Sequence, residues 1–89
     1  MTSRTTSKFR KALQKLPPRI QLQAKEAYEL WRRDPGHRSL QFKRVHPTKP
    51  IYSVRVALGW RAIGVRSGDV MIWYWIGSHS DYDKLIAQL

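Results

Sequence analysis

Residues 51–76 hold three runs of strand-forming side chains separated by two short turns, and this pattern narrows the possible folds more than any other feature of the chain. The first run, 51–58, alternates. Tyr52, Val54, Val56 and Leu58 point one way, and Ser53, Arg55 and Ala57 the other. A tight turn at Leu58-Gly59 feeds a second run, 60–66, and Ser67-Gly68-Asp69 turns the chain again. The third run, 70–76, is apolar throughout, as expected of a strand covered on both sides. Antiparallel pairing of these runs is the simplest consequence. Gly77, Ser78 and His79 then lie at the end of the last strand.

The segments before and after this stretch read as helices. Phe9, Ala12, Leu13 and Leu16 fall at helical spacing, with Ser7 as the expected N-cap. Pro17-Pro18 ends that helix, and Pro18 suits the first turn of a second, over 18–33. Ile20, Ala24, Ala27, Leu30 and Trp31 form its apolar stripe, which assigns Trp31 to the core. Asp34-Pro35-Gly36 closes it. Leu40, Phe42 and Val45 begin the sheet, and the prolines at 47 and 50 keep 46–50 out of a central strand. Ser80 with Asp83 fits a capping box, so a short terminal helix is predicted from Ser80, with Tyr82, Leu85, Ile86 and Leu89 on one side. Residues 1–7 are polar and read as a short edge strand or a frayed tail. The expectation is one α+β domain over 1–89: two N-terminal helices packed on a small, mainly antiparallel twisted sheet, with a short C-terminal helix.

Function classes are bounded by charge and by missing residue types. Seventeen Lys and Arg against six Asp and Glu leave a formal charge of +11, which points to a polyanion or an acidic protein as partner. With no cysteine, disulfide frameworks and thiolate metal sites are excluded. The three histidines lack ligand spacing and the acids form no paired-carboxylate site, so the reading names no metal and no cofactor. Residues 64–68, G-V-R-S-G, lack the lysine of a phosphate-binding loop. No apolar run approaches the roughly 20 residues of a membrane span, and the start reads as no secretory signal, so a cytoplasmic protein is expected.

The candidate site follows from the strand pattern. Arg55 and Arg61 stand on adjacent strands flanking the Leu58-Gly59 turn. Two guanidiniums close together on one sheet face make a phosphate site, or else an arginine rim on a solvated face. His79, at the edge of the sheet, can move a proton, with Ser78, Ser80 and Asp81 as orienting neighbours. Tyr82 either packs or turns its hydroxyl to the same pocket. Lys43 and Arg44 read as a nucleic-acid footing or as plain surface, with His46, in a loop before a proline, a weaker candidate beside them. Trp73 and Trp75 can stack on bases, but their place in an apolar run favours the core.

Taken in order, F-R-K-A-L-Q-K-L-P-P, L-W-R-R-D-P, S-L-Q-F-K-R-V, I-Y-S-V-R-V, G-W-R-A-I and I-W-Y-W-I-G-S-H-S-D-Y-D-K-L resemble the toxins of the RelE/ParE superfamily of bacterial toxin–antitoxin systems. The resemblance covers nearly the whole chain. It implies a compact sheet backed by two helices, and an acidic or amphipathic antitoxin that wraps the toxin in a hetero-oligomer. Many members are metal-independent, ribosome-dependent mRNA endonucleases; others poison DNA gyrase, and a nontoxic basic binding homologue is a third outcome. Arg55 matches a basic strand residue of the RNase members, and Arg61 the arginine after the hairpin turn. His79 stands where a strand-end arginine or histidine acts, and Tyr82 approximates an aromatic near the chain end. The sequence departs from the pattern at Ser53, where the archetypal member has a lysine of the nucleic-acid surface, at His79 in place of its arginine, and in the polar first strand. The resemblance thus implies catalysis by His79, Arg61, Arg55 and Tyr82, with Lys43, Arg44, His46 and Ser53 contacting nucleic acid. The mRNA 2′-hydroxyl would attack the adjacent phosphorus, and partners would be ribosome, mRNA and antitoxin, or gyrase instead.

Overall fold

The structure, a computed structural model, describes residues 2–89. Strand β1 (Thr2–Thr5) leads into helices α1 (Ser7–Gln14) and α2 (Pro18–Arg33). A 3-10 turn (Arg38–Leu40) then precedes β2 (Lys43–Arg44), β3 (Ile51–Ala57), β4 (Trp60–Ser67), β5 (Val70–Ser78) and the terminal helix α3 (His79–Ala87). The five strands form one sheet in the order β1-β5-β4-β3-β2. Every pairing is antiparallel except β1 with β5, which is parallel. This is the expected α+β architecture.

The two helices bury one face of the sheet. Ala24 and Trp31 of α2 pack with Val54, Val56, Ala62, Met71, Trp73 and Ile76. Trp31, only 2% exposed, meets Trp73 edge-on at 5.3 Å and Phe42 at 5.7 Å. Such aromatic pairs are worth about 0.5–1.5 kcal/mol each beyond the area they bury. On the other face α3 covers a second, smaller cluster built on Ile51, Ile63 and Tyr82. The apolar run 70–76 is therefore explained by cover on both sides.

Several boundaries differ from the sequence reading. The polar start forms a true edge strand: Thr2 to Thr5 pair with Val70 to Trp73, and Ser3 hydrogen-bonds the Tyr28 hydroxyl on α2. Because Thr6 N–H still donates to Trp73 O (3.0 Å), α1 begins one residue later than that contact, and Thr6 rather than Ser7 caps it. Its hydroxyl accepts from Phe9 N–H at 3.1 Å. Leu40 is buried in the 3-10 turn and not in a strand, which leaves β2 only two residues. Leu58 does not join the apolar face of β3; it is 82% exposed at the hairpin tip. Gly59 beside it takes φ of 78°, the left-handed value that suits glycine. Finally, α3 begins at His79. Its N-cap is Ser78, whose Oγ accepts from Asp81 N–H at 3.1 Å, and not Ser80.

Candidate functional site

The hairpin β3–β4 places two arginines opposite one another. Arg55 and Arg61 are register partners, and the register shifts just beyond them, between Arg55 and Ala57. Like charges directly opposite on a ladder repel, and an anion held between them offsets this. On the far side of Arg61 its β5 partner is Gly77. A Cβ there would come within 2.7 Å of Cζ2 of Trp75, so the Trp75 indole lies along the strand where a side chain would otherwise stand. One step along the ladder from Arg55, Ser53 pairs with Lys43 and Ile63. By alternation Lys43, Ser53, Arg55 and Arg61 share the face that α3 partly covers, whereas Arg44 pairs with Tyr52 on the opposite face.

Helix α3 brings His79 to the same end of the sheet. The His79 N–H donates to Gly59 O in the hairpin turn at 2.8 Å, and Trp60 pairs with Ser78. The imidazole side chain is 49% exposed, with its ring 5.8 Å from that of Tyr82. Its Nδ1 lies 3.8 Å from Asp83 Oδ1, one helical turn on. Among the described residues the imidazole has an ion-pair contact with Asp83 and no hydrogen bond to the Ser78, Ser80 or Asp81 side chains; Ser78 Oγ instead accepts from the Asp81 N–H in the helix cap.

Two of the expected site residues are buried against each other. Tyr82 is 7% exposed and Ser53 only 1%, and the tyrosine hydroxyl donates to Ser53 Oγ at 3.0 Å. In this structure α3 lies over Ser53, and the Tyr82 hydroxyl is turned into the interior. Arg44 and His46 are likewise engaged by their own loop. Arg44 donates to the carbonyls of His46, Thr48 and Lys49, and His46 Nδ1 accepts from the N–H groups of Thr48 and Lys49. Lys43 remains exposed on the arginine face. Trp73 is core, and Trp75 packs between sheet and α3, 6.5 Å from Tyr82.

Gln41 was not among the expected residues. Its Oε1 accepts from Arg61 Nη2 at 3.0 Å. The partner nitrogen, Nη1, is shut off from solvent and has no acceptor. Nothing in the sequence flags a contact 20 positions apart; only the β2–β3–β4 register creates it. The pair His79–Asp83 has the i,i+4 spacing of facing residues on a helix that begins at His79. One hydroxyl has a displaced acidity: burial pushes Tyr74 above its ordinary 10.0. Among the described residues no group of three or more His, Cys, Asp and Glu is placed to hold a metal ion, and no helix is long and apolar enough to cross a membrane.

The fold is thus a small sheet with two helices on one face, a third on the other, and two arginines paired at the hairpin end. A family model described as the ParE-like toxin domain matches residues 18–84, and the chain belongs to that family, within the RelE/ParE superfamily. Solved structures share the fold. A chain of the RelB–RelE antitoxin–toxin complex from Methanococcus jannaschii superposes with a TM-score of 0.71 at 21% identity, over 90% of this chain and 95% of that one. YafQ from E. coli gives 0.71 at 13% identity, over 90% and 94%. A chain of the archaeal RelE–RelB complex from Pyrococcus horikoshii gives 0.69 at 17%, over 86% and 92%. No curated protein sequence matches.

Proposed function

We propose that this toxin is a metal-independent endoribonuclease that cuts mRNA on the ribosome. The observation that carries the reading is the in-register Arg55–Arg61 pair with His79 at the same end of the sheet. In this mechanism the RNA 2′-hydroxyl gives up its proton to water and attacks the adjacent phosphorus. The P–O5′ bond breaks, leaving a 2′,3′-cyclic phosphate on one fragment and a 5′-hydroxyl on the other. Arg55 and Arg61 stabilise the charge that grows on the phosphoryl oxygens. His79 protonates the departing 5′-oxygen, steadied by Asp83. Lys43 adds positive charge on the approach to the site. The ribosome orients the RNA, which accounts for catalysis by so few groups. Tyr82 and Ser53 hold α3, and hence His79, against the sheet.

The same reading includes an antitoxin. A charge of +11 favours an acidic partner, and two of the similar folds come from antitoxin–toxin complexes. An apolar groove of about 660 Å³ between the helices and the sheet, lined by Phe9, Leu13, Leu22, Trp31 and Trp73, offers it a seat.

The test is a translation reaction with purified protein, mRNA ends mapped by primer extension, beside His79→Ala. New ends at the ribosomal A site are expected with the wild type, reduced about 10²–10⁴-fold in the variant. Full cleavage by the variant removes His79 from the chemistry. Intact mRNA overturns the nuclease reading and leaves the second one, a DNA gyrase poison. That reading is favoured by the ParE-like description of the matched family and is tested by topoisomerase inhibition.

A further inference from the structure

We infer that Gln41 is a positioning residue, whose side-chain carbonyl holds the Arg61 guanidinium ready for an anion without neutralising it. The inference rests on the reading above that Arg61 receives a phosphate.

Three observations converge on it. The first is the contact itself, Arg61 Nη2 donating to Gln41 Oε1 at 3.0 Å. The second is the backbone beneath it. Gln41 sits at φ 47° and ψ 40°, the only non-glycine residue at positive φ among those described, at the end of the 3-10 turn. Glycine or asparagine is the ordinary occupant of such a position. A glutamine there accepts backbone strain and supplies a side chain long enough to cross to β4. The third is the electrostatic setting. Among the described residues, neither Arg55 nor Arg61 has a carboxylate within 4.0 Å.

The chemistry of the acceptor matters. An arginine repelled by its ladder partner would otherwise swing away into solvent. A carboxylate at position 41 would hold it, but as an ion pair that competes with any incoming phosphate. An amide carbonyl supplies one acceptor and no charge, so the guanidinium stays oriented and fully cationic.

The experiment follows the Arg61 side-chain N–H signals by nitrogen-15 NMR during titration with inorganic phosphate at constant ionic strength. It compares wild type, Gln41→Gly and Gln41→Glu. Gln41→Gly relieves the left-handed strain and keeps the fold. Wild-type Arg61 should show separate Nη signals, from hindered rotation, that move with phosphate. In Gln41→Gly these signals should merge and phosphate affinity should fall about fivefold, the loss of one hydrogen bond's orientation. In Gln41→Glu they should stay separate, with Tm at or above the wild-type value, while affinity falls about tenfold or more. A merely structural contact predicts instead that Gln41→Glu binds phosphate like the wild type. That result, or wild-type behaviour in Gln41→Gly, overturns the inference and leaves the phosphate reading standing. A wild-type Arg61 that ignores phosphate overturns both.

Discussion

Tyr82 and Ser53 decide between two roles at the level of single residues. Their hydroxyls form a buried hydrogen bond between α3 and β3, 29 positions apart in sequence. Removing one partner leaves a polar atom unsatisfied in the interior, which costs more than the bond's net worth. Tyr82→Phe is therefore expected to lose about 1–2 kcal/mol, on the order of 5–10 °C in Tm. RNA cleavage measured well below the lowered Tm should stay within about threefold of wild type, since a group acting in proton transfer would cost about 10² or more. A stable but inactive Tyr82→Phe would return the hydroxyl to the chemistry. The sequence allowed both roles because strand alternation tells which residues share a face, not what lies over that face. Ser53 shares the face of Arg55, yet α3 covers one and leaves the other half-exposed. That the two arginines flank one hairpin was legible in the turn residues Leu58-Gly59, but their pairing was not: with Ala57 opposite Trp60 an unbroken ladder would set Val56 against Arg61, and the register shift between Arg55 and Ala57 is what brings Arg55 opposite Arg61.

Helix starts show how two equivalent local signals are resolved by pairing elsewhere. Ser78 precedes Asp81 by three residues, and Ser80 precedes Asp83 by three, so both fit the same N-terminal pattern. The choice is made by the sheet. β5 stays paired through Ser78, opposite Trp60, and His79 N–H takes the Gly59 carbonyl. The chain must turn there, which makes Ser78 the cap and His79 the first helical residue. Thr6 and Ser7 are settled in the same way by the pairing of β1. Ser78→Ala should cost about 1 kcal/mol. Because α3 is only nine residues long, the loss should appear there first. Amide exchange in α3 should quicken about fivefold while β4 is unchanged. Equal acceleration in both elements would show that the cap supports the whole fold and not the His79 helix alone.

On the scale of the whole molecule, two helices cover one face of the sheet and a third covers the other only in part. α1 and α2 bury one face, and two edge strands, both short and polar, finish the sheet. The parallel edge strand was hard to foresee, since T-S-R-T has no apolar alternation and gains its place from ladder bonds to β5 and the Ser3–Tyr28 contact. On the other face α3 starts at the arginine end and then covers Ile51, Ser53 and Ile63, leaving the arginines outside its cover. A charge of +11 surrounds both, so charge alone does not locate the working surface. The working surface proposed above is where two arginines are register partners, one of them hydrogen-bonded by a neutral amide, at the hairpin end of the sheet where α3 begins. The measurement that tests this most directly is the single-turnover rate of mRNA cleavage on a programmed ribosome, for wild type and Arg61→Ala. The account predicts a loss of about 10²–10³-fold with an unchanged fold, the usual cost of removing one preorganised donor to a developing oxyanion. A folded Arg61→Ala variant that cleaves at the wild-type rate would contradict it.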